Sequence, residues 1–285
     1  MVTTTKIKIT PSALRENLRR DGYVSIPDVV DDAMLDRLRE VSDRLLDALP
    51  KEHLAEQRST GSMIPTMSDA FFAELISYRP ALAALENMGF SDIRHGSGYI
   101  ISKPPHSPPL FWHQDWLCWD DPSSYTDQHQ QLFLMYYLVD TTTANGCLRV
   151  IPGSHRRRHP VHALTEMAHT HEIRRIDDPN HAAYKSAEDE VAIPVQVGDL
   201  VVGDARILHA SYANNSDRRR TVITMWHFPD YSTIPERIRG YMGNRYLLPP
   251  DWTAEARALA QPFMPDYEGD AEPIQKNRIP GPQLS

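Results

Sequence analysis

The sequence predicts a mainly β fold, a double-sheet jelly roll (double-stranded β-helix, cupin-like) with flanking helices. From residue 93 onward, about eight short apolar segments alternate with turn residues, as strands do in an all-β domain. Residues 11–90 instead carry apolar positions at helical spacing. A His-x-Asp pair, His113 and Asp115, lies within the strand region, and the interior of a jelly roll can hold a metal and a ligand. These observations favour a single domain over residues 1–285.

The helical part covers residues 11–90. Ser12 is predicted to cap the first helix and Gly22 to end it, because a hydroxyl satisfies the first amides and glycine tolerates a left-handed terminus. Asp31 or Asp32 is predicted to cap the second helix. The four helices and the one strand predicted in this part lie at residues 14–20, 33–48, 69–77, 80–87 and 22–27, respectively.

The jelly-roll core is predicted over residues 93–228. Its strands are expected at residues 93–102, at the segment of His113 and Asp115, and at 131–139, 147–151, 191–197, 200–203, 207–212 and 221–228. The turn at 141–146 predicts that segment 147–151 returns as the partner of segment 131–139.

Two segments of the chain lack the strand pattern. Residues 155–190 are polar and rich in histidine and arginine, and at about 35 residues they exceed ordinary loop lengths. They predict a lid or an insert with short helices, in which most histidines are solvated. The C-terminal tail, 229–285, is predicted to wrap the surface with one helix at 253–260.

Composition excludes several classes of protein. The net charge of −8 argues against a nucleic-acid-binding surface. The two cysteines, Cys118 and Cys147, give no disulfide framework and fit a reducing compartment. The sequence has neither an apolar run of about 18 residues nor an apolar signal-peptide core, so no membrane partner is expected. The expectation is a soluble, cytoplasmic protein that acts on a small molecule.

The strongest chemical signal is His113 and Asp115 together with His209. In an extended strand, residues i and i+2 point to the same side, so His113 and Asp115 can reach one ion. His209 ends a second apolar strand that can lie opposite the first one in a barrel. Two imidazoles and one carboxylate form the facial arrangement of non-heme Fe(II) sites. Taken alone, each of these residues is more often structural.

Three consecutive arginines follow His209 at positions 218–220. Alternation along a strand lets only one or two of them face inward, where an arginine can bind a carboxylate through two parallel hydrogen bonds. Ser211 shares the strand face of His209 and can donate another hydrogen bond. A solvated charge cluster is the alternative interpretation, and the residues alone do not choose between the two.

Taken together, the motifs resemble the phytanoyl-CoA dioxygenase family of Fe(II)- and 2-oxoglutarate-dependent oxygenases. The resemblance covers roughly residues 21–228, and the combined motifs are much more specific than any one of them. They are His113-Gln114-Asp115, the segment Asn-Gly-Cys-Leu-Arg-Val-Ile-Pro-Gly-Ser-His at 145–155, Gly198-Asp199-Leu200, and His209-x-Ser211 with Arg220. The family's double-stranded β-helix agrees with the predicted jelly roll.

The resemblance implies a role for individual residues. His113, Asp115 and His209 would bind iron. Among the three arginines it selects Arg220 as the partner of the distal carboxylate of 2-oxoglutarate. Further cosubstrate contacts fall on Ser211, on Tyr99 and on Met135, which stands where relatives often carry a tryptophan. Segment 145–155, including His155, is expected to be mostly architectural.

The implied cofactors are Fe(II), 2-oxoglutarate and O₂, with hydroxylation of an unactivated C–H bond and release of succinate and CO₂. Asp115 disfavours halogenation, since related halogenases replace this carboxylate by a small residue. Desaturation, epimerisation and ring formation stay open as outcomes. The rival classes are a metal-dependent jelly-roll enzyme without 2-oxoglutarate and a non-catalytic jelly-roll binding protein.

The aromatic residues near the His-x-Asp pair, among them Phe111, predict a walled site that is partly dry. Arg174 and Arg175 lie in the possible lid and could meet an anionic substrate, although solvated arginines are the alternative. The candidate pocket walls are Trp112, Trp116, Trp119, Tyr137 and Trp226.

Overall fold

The computed structural model describes residues 10–56, 58–176, 178, 180–243 and 247–285. Its strands are β1 (Tyr23–Ile26), β2 (Ser62–Pro65), β3 (Arg94–Lys103), β4 (Leu110–His113), β5 (Leu132–Tyr137), β6 (Leu148–Val150), β7 (Val191–Ile193), β8 (Leu200–Asp204), β9 (His209–Ser211) and β10 (Arg220–Phe228). They form a six-stranded sheet, β1-β8-β5-β10-β3-β2, and a four-stranded sheet, β4-β9-β6-β7. The strand pairings in both sheets are antiparallel. The predicted two-sheet jelly roll is confirmed.

Strand β5 shows how the layers pack. Its Phe133 and Tyr137 point between the two sheets and pack with Leu148 of β6. Leu134, next to Phe133, points to the opposite face and belongs to the same core as Leu38 of the helical layer. Because both faces of β5 are covered, its sequence is apolar throughout rather than alternating with polar residues.

Most of the helices in the described residues cover the outer face of the six-stranded sheet. The helices of the described residues are α1 (Pro11–Asp21), α2 (Asp32–Asp47), α3 (Lys51–Glu56), α4 (Phe72–Ile76), α5 (Arg79–Asn87), α6 (His171–Arg175), α7 (Glu236–Gly243) and α8 (Ala254–Ala260). Gly22 ends α1 with a left-handed φ of 84°, and Asp31 caps α2, both as predicted. The predicted cap of α1 was wrong. Thr10, not Ser12, accepts the Ala13 amide, because Pro11 fits the first helical position and the helix begins earlier.

Two strand predictions were incomplete or wrong. Segment 147–151 does not pair with β5, because the turn before it carries the chain across to the four-stranded sheet, where β6 pairs with β7 and β9. Strand β2 was missed; it is four residues long, ends at Pro65 and pairs with β3. A short strand that ends in proline gives little sequence signal.

The insert at 155–190 contains short helices, as expected. Besides α6 these are the 3₁₀ segments Pro160–Met167 and Ala182–Tyr184. Ile173 and Tyr184 of the insert are buried against Phe111 of β4, so the insert packs on the four-stranded sheet. In the tail α8 matches the predicted helix, whereas α7 was not predicted. Among the described residues, no helix has the length and apolarity that crossing a bilayer requires.

Candidate metal centre

Strands β4 and β9 bring two histidines side by side. Their antiparallel register places His113 directly opposite His209, and the two ring centroids are 4.0 Å apart. The sequence placed the strand of His209 across a barrel from His113. The structure shows that the two strands are neighbours instead, because the chain crosses between the sheets after β8 and enters β9 beside β4.

Asp115 lies just beyond β4 and not within it. The strand ends at His113, and the Asp115 amide donates to the Ala205 carbonyl over 2.8 Å. The expectation that one strand carries both residues was therefore wrong, although the carboxylate still lies close to both histidines. Asp115 Oδ1 lies 3.7 Å from His113 Nε2, and Asp115 Oδ2 lies 3.5 Å from His209 Nε2.

Hydrogen bonds orient all three side chains. His113 Nδ1 lies 3.0 Å from the Phe111 carbonyl, and His209 Nδ1 lies 3.1 Å from the Ile207 carbonyl. Because a carbonyl only accepts, each Nδ1 carries the proton and each Nε2 keeps its lone pair towards the other ligands. Trp226 donates its indole N–H to Asp115 Oδ2 over 2.9 Å, which fixes the carboxylate.

The environment keeps His113 neutral. Burial lowers the pKa of His113 well below its usual value, and the nearby His209, His169 and Arg278 lower this pKa further. A neutral imidazole is the form that binds a metal. Two imidazoles with free Nε2 atoms and one carboxylate therefore meet the requirements of an iron ligand set, and the described residues fit such an ion.

His169, in the insert, is a residue that the sequence analysis missed. Its ring centroid lies 4.7 Å from that of His113, and candidate ligand atoms of His113, Asp115 and His169 lie within 4.8 Å of one another. Its Nε2 is buried with no hydrogen-bond partner among the described residues. Its backbone has a φ of 66°, which non-glycine residues rarely adopt. No spacing rule links His169 to the His-x-Asp pair.

His113, Asp115 and His209, called the triad from here on, line an inner cavity between the two sheets. Its volume is about 640 Å³, including the space at its opening. It also contains Arg220, Ser211 and Thr224, together with apolar residues such as Val222. Arg220 begins β10 and is only 4% exposed. The neighbouring Arg219 instead forms surface ion pairs with two aspartates of α2. Only Arg220 of the three arginines faces the cavity.

Arg220 is a buried cation in need of an anion. Among the described residues, no carboxylate forms an ion pair with it, and burial lowers its pKa. The hydroxyl oxygens of Ser211 and Thr224 and Arg220 Nε are all buried without hydrogen-bond partners in the described part of the chain. A buried charge without a partner costs several kcal/mol in order-of-magnitude terms. The inner cavity therefore suits a small carboxylate.

Lys103 was also missed by the sequence analysis. It lies opposite Arg220 in the register of β3 and β10 and lines the inner cavity, with Nζ donating to the Ser59 and Pro108 carbonyls. Burial first, and then the charges of Arg220 and Arg149, lower the pKa of Lys103 well below its usual value. Only the strand register, which is unreadable from the sequence, pairs the two residues.

An outer cavity continues from the inner one towards the surface. The two share Met63, Asp115, His169 and Trp226. Met135 lines the inner cavity, next to the predicted 2-oxoglutarate position. Tyr99 lines the outer cavity, where its ring centroid is 6.1 Å from that of Trp226.

Three of the five predicted aromatic walls were wrong. Tyr137 and Trp226 line the inner cavity, whereas Trp112, Trp116 and Trp119 are buried elsewhere. Trp112 is next to His113 in β4 and must point to the opposite face, where its indole donates to the Lys185 carbonyl. His155 contacts the Arg19 carbonyl and lines neither cavity, in line with its expected architectural role.

Known proteins resemble the chain in both sequence and fold. A probable alpha-ketoglutarate-dependent hypophosphite dioxygenase of Stutzerimonas stutzeri is 31% identical over 136 residues, which cover 45% of this chain and 43% of that protein. The chain thus spans less than half the length of this relative. The epimerase SnoN, solved with Fe³⁺, alpha ketoglutarate and nogalamycin RO, superposes with a TM-score of 0.57 at 20% identity over 95% of this chain and 97% of SnoN.

A second solved structure, EctD from S. alaskensis with 2-oxoglutarate and 5-hydroxyectoine, has a TM-score of 0.56 at 19% identity, covering 78% of each chain. At these identities the structural likeness shows a shared fold. The sequence model of the phytanoyl-CoA dioxygenase family matches residues 18–222, a region that contains the triad, Ser211 and Arg220. With that match over most of its length, the chain belongs to the phytanoyl-CoA dioxygenase (PhyH) family.

Proposed function

We propose that the protein is an Fe(II)- and 2-oxoglutarate-dependent dioxygenase that hydroxylates an unactivated C–H bond of a small molecule. The observation that carries the proposal is one cavity that contains both a His-Asp-His triad and a buried arginine with no carboxylate partner among the described residues. Family membership supports the same activity. Iron, 2-oxoglutarate and O₂ together would supply the oxidant that removes the hydrogen atom, with succinate and CO₂ as products.

In this proposal His113, Asp115 and His209 hold the iron. Each histidine uses Nε2, since its Nδ1 proton is committed to a backbone carbonyl. Trp226 donates to Asp115 Oδ2 and so orients the carboxylate that would bind the metal. The protein thereby orients its ligands before the metal binds.

Arg220 would bind the distal carboxylate of 2-oxoglutarate in the inner cavity. Ser211 and Thr224 offer hydroxyls without other partners, and Lys103 adds a second nitrogen nearby. Met135 and Val222 give apolar walls that exclude water from the cosubstrate. The contact of Tyr99 with the cosubstrate stays a prediction.

Hydroxylation is the outcome that we propose, and Asp115 in the triad disfavours halogenation. The fold likeness to the epimerase SnoN keeps epimerisation as the second candidate, because both outcomes begin with hydrogen removal from carbon. The single-domain organisation, the cytoplasmic location and the closing of insert 155–190 as a lid remain predictions.

The test is anaerobic addition of Fe(II) and 2-oxoglutarate to the purified protein. We expect the weak visible charge-transfer band of a keto acid chelated to iron, and its loss together with tight iron binding in His113→Ala. His171→Ala is the matched control, since His171 is an exposed histidine of the insert and should leave the band unchanged. A wild-type protein that gives no band, or a His113→Ala variant that keeps tight iron binding, would refute the proposal. Succinate release during a substrate screen then identifies the substrate.

A further inference from the structure

We propose that the outer cavity is a substrate site for a small organic oxyanion, whose carboxylate, sulfonate or phosphonate group is bound by Arg174 and Arg278. The inference rests on the proposed function, because it assigns the substrate class of the same metal centre. It goes beyond that function by naming two arginines, one from the insert and one from the C-terminal tail.

The position of the outer cavity suits a substrate. It shares Asp115 and Trp226 with the inner cavity, so a molecule held there lies beside the proposed iron ligands. Its volume of about 1030 Å³, counted to its open mouth, accommodates a small molecule. Leu117 and Tyr99 give apolar surface, and Gln131 gives a buried polar group. A compound with one charged end and a less polar body matches this lining.

The charges of the outer cavity are unlike those of the whole protein. The chain has a net charge of −8, yet the described residues that line this cavity include two arginines and a single carboxylate, that of Asp115. A bound metal would neutralise that carboxylate. The mouth is therefore a local positive region that attracts anions.

Arg278 is held in place by the backbone of the tail. The Asn277 amide donates to the Leu117 carbonyl over 2.7 Å, and the Trp119 amide donates to the Asn277 carbonyl over 3.2 Å. These bonds attach the tail to the segment that follows Asp115. Arg278 Nη1 donates to the Gln114 carbonyl over 3.3 Å, and Gln114 is the residue between the proposed ligands His113 and Asp115. The tail thus supplies a residue of the site in addition to wrapping the surface.

Arg174 is held by the anchoring of α6. Ser59 donates from both its amide and its hydroxyl to the Arg174 carbonyl, and the Tyr184 hydroxyl donates to the Ile173 carbonyl. With the backbone fixed in this way, the Arg174 side chain lines the outer cavity. Its Nε is buried and has no hydrogen-bond partner within the described ranges. An oxyanion in the cavity would provide the missing acceptor.

The test is calorimetric titration of the anaerobic Fe(II) protein with 2-oxoglutarate at saturation, so that the inner cavity is filled. The probes are propane-1-sulfonate, propylphosphonate and propylammonium, which have the same alkyl chain and opposite charges. We expect at least one of the anions to bind and the ammonium not to bind. Arg278→Gln and Arg174→Gln should each weaken anion binding by at least about tenfold, the value of one charge-assisted hydrogen-bond contact.

Arg175→Gln is the control, since Arg175 follows Arg174 in α6, is exposed and does not line the cavity. Arg278→Lys keeps the charge and should retain part of the affinity, which separates lost binding from a disturbed tail. Equal binding of propylammonium, no binding of either anion, or unchanged affinity in both glutamine variants overturns the inference. The charge-transfer band should persist in all these variants. If wild type lacks the band but the metal-free protein still binds the anions, the proposed function fails and the anion site stands.

Discussion

The inner and outer cavities meet at Asp115 and Trp226, but the polar residues that line them come from different secondary structure. The inner cavity is lined mainly by strands, and its polar residues follow from strand alternation: His209 and Ser211 are two apart on β9, and Arg220 begins β10. The outer cavity takes Arg174 from the insert and Arg278 from the tail, segments without a regular period. In this jelly roll the strands carry most residues of the proposed metal and cosubstrate site, whereas irregular segments carry the two arginines of the proposed substrate site.

The largest effect is expected for Asp115, one of the four residues that line both cavities. Asp115→Ala removes the carboxylate ligand and the acceptor of the Trp226 indole, so we expect iron affinity and turnover to fall by more than about 100-fold, beyond the loss of an outer-shell partner. Iron binding is measured by titration of the charge-transfer band and turnover by succinate release. Asp127→Ala, which removes an exposed carboxylate paired with Arg19 and Arg156, is the control. Retention of near-normal turnover in Asp115→Ala would remove Asp115 from the ligand set.

The next effect concerns the inner cavity alone. Arg220→Ala should raise the concentration of 2-oxoglutarate needed for half-maximal succinate release by about 10- to 100-fold, the range for a lost charge-assisted pair. Iron binding should be nearly intact, because Arg220 is not among the proposed ligands. The neighbouring Arg219→Ala is the matched control, since its partners are Asp43 and Asp47 at the surface.

An unchanged 2-oxoglutarate requirement in Arg220→Ala would reassign the carboxylate partner, and Lys103 would be the next candidate. Arg220→Lys should lie between wild type and Arg220→Ala, since a lysine keeps the charge and loses the two parallel hydrogen bonds. This ordering tests whether the geometry of the guanidinium matters in addition to its charge.

The same contrast explains how much the sequence could predict. The jelly roll follows from local periodicity, and the candidate triad follows from ligand chemistry and motif spacing. Strand alternation predicts only that one or two of the arginines at 218–220 face inward, and the resemblance to the family selects Arg220. The alternation rule would also have excluded Trp112 as a cavity wall, because it is adjacent to His113 in β4. His169, Lys103 and Arg278 could not be predicted in this way. Their positions depend on cross-strand register and on the packing of the insert and tail, which are long-range properties.

A smaller effect is expected from replacing Trp226, which lines both cavities and donates a hydrogen bond to Asp115. Trp226→Phe keeps the aromatic wall but removes the indole N–H that donates to Asp115 Oδ2 over 2.9 Å. We expect iron affinity to fall by about tenfold, the lower end for the loss of a group that orients a metal ligand. The 2-oxoglutarate requirement, measured at saturating iron, should change less than it does in Arg220→Ala. An iron affinity equal to that of wild type would show that packing alone orients Asp115.

The smallest effect lies outside both cavities and concerns stability. Burial lowers the pKa of His155 from 6.5 to about 4, and it lowers the pKa of His227 to about 4 as well. Each is neutral when folded, whereas the unfolded chain takes up a proton below pH 6.5, so stability is unaffected above that pH and falls as the pH drops towards 4. The loss per histidine is about 0.8 kcal/mol at pH 6.

Thermal unfolding of the metal-free protein checks this pH dependence without contributions from iron binding. Tm should be nearly flat from pH 8 to 7 and should fall below pH 6.5, and His155→Gln should reduce that fall although it lowers Tm at neutral pH. His155 is suited to this test because its ring contacts the Arg19 carbonyl and His155 lines neither cavity. A Tm of His155→Gln with the same acid dependence as wild type would mean that folding does not lower the pKa of His155. The acid loss would then originate at the other buried histidines, such as His227, whose pKa is lowered by the same burial.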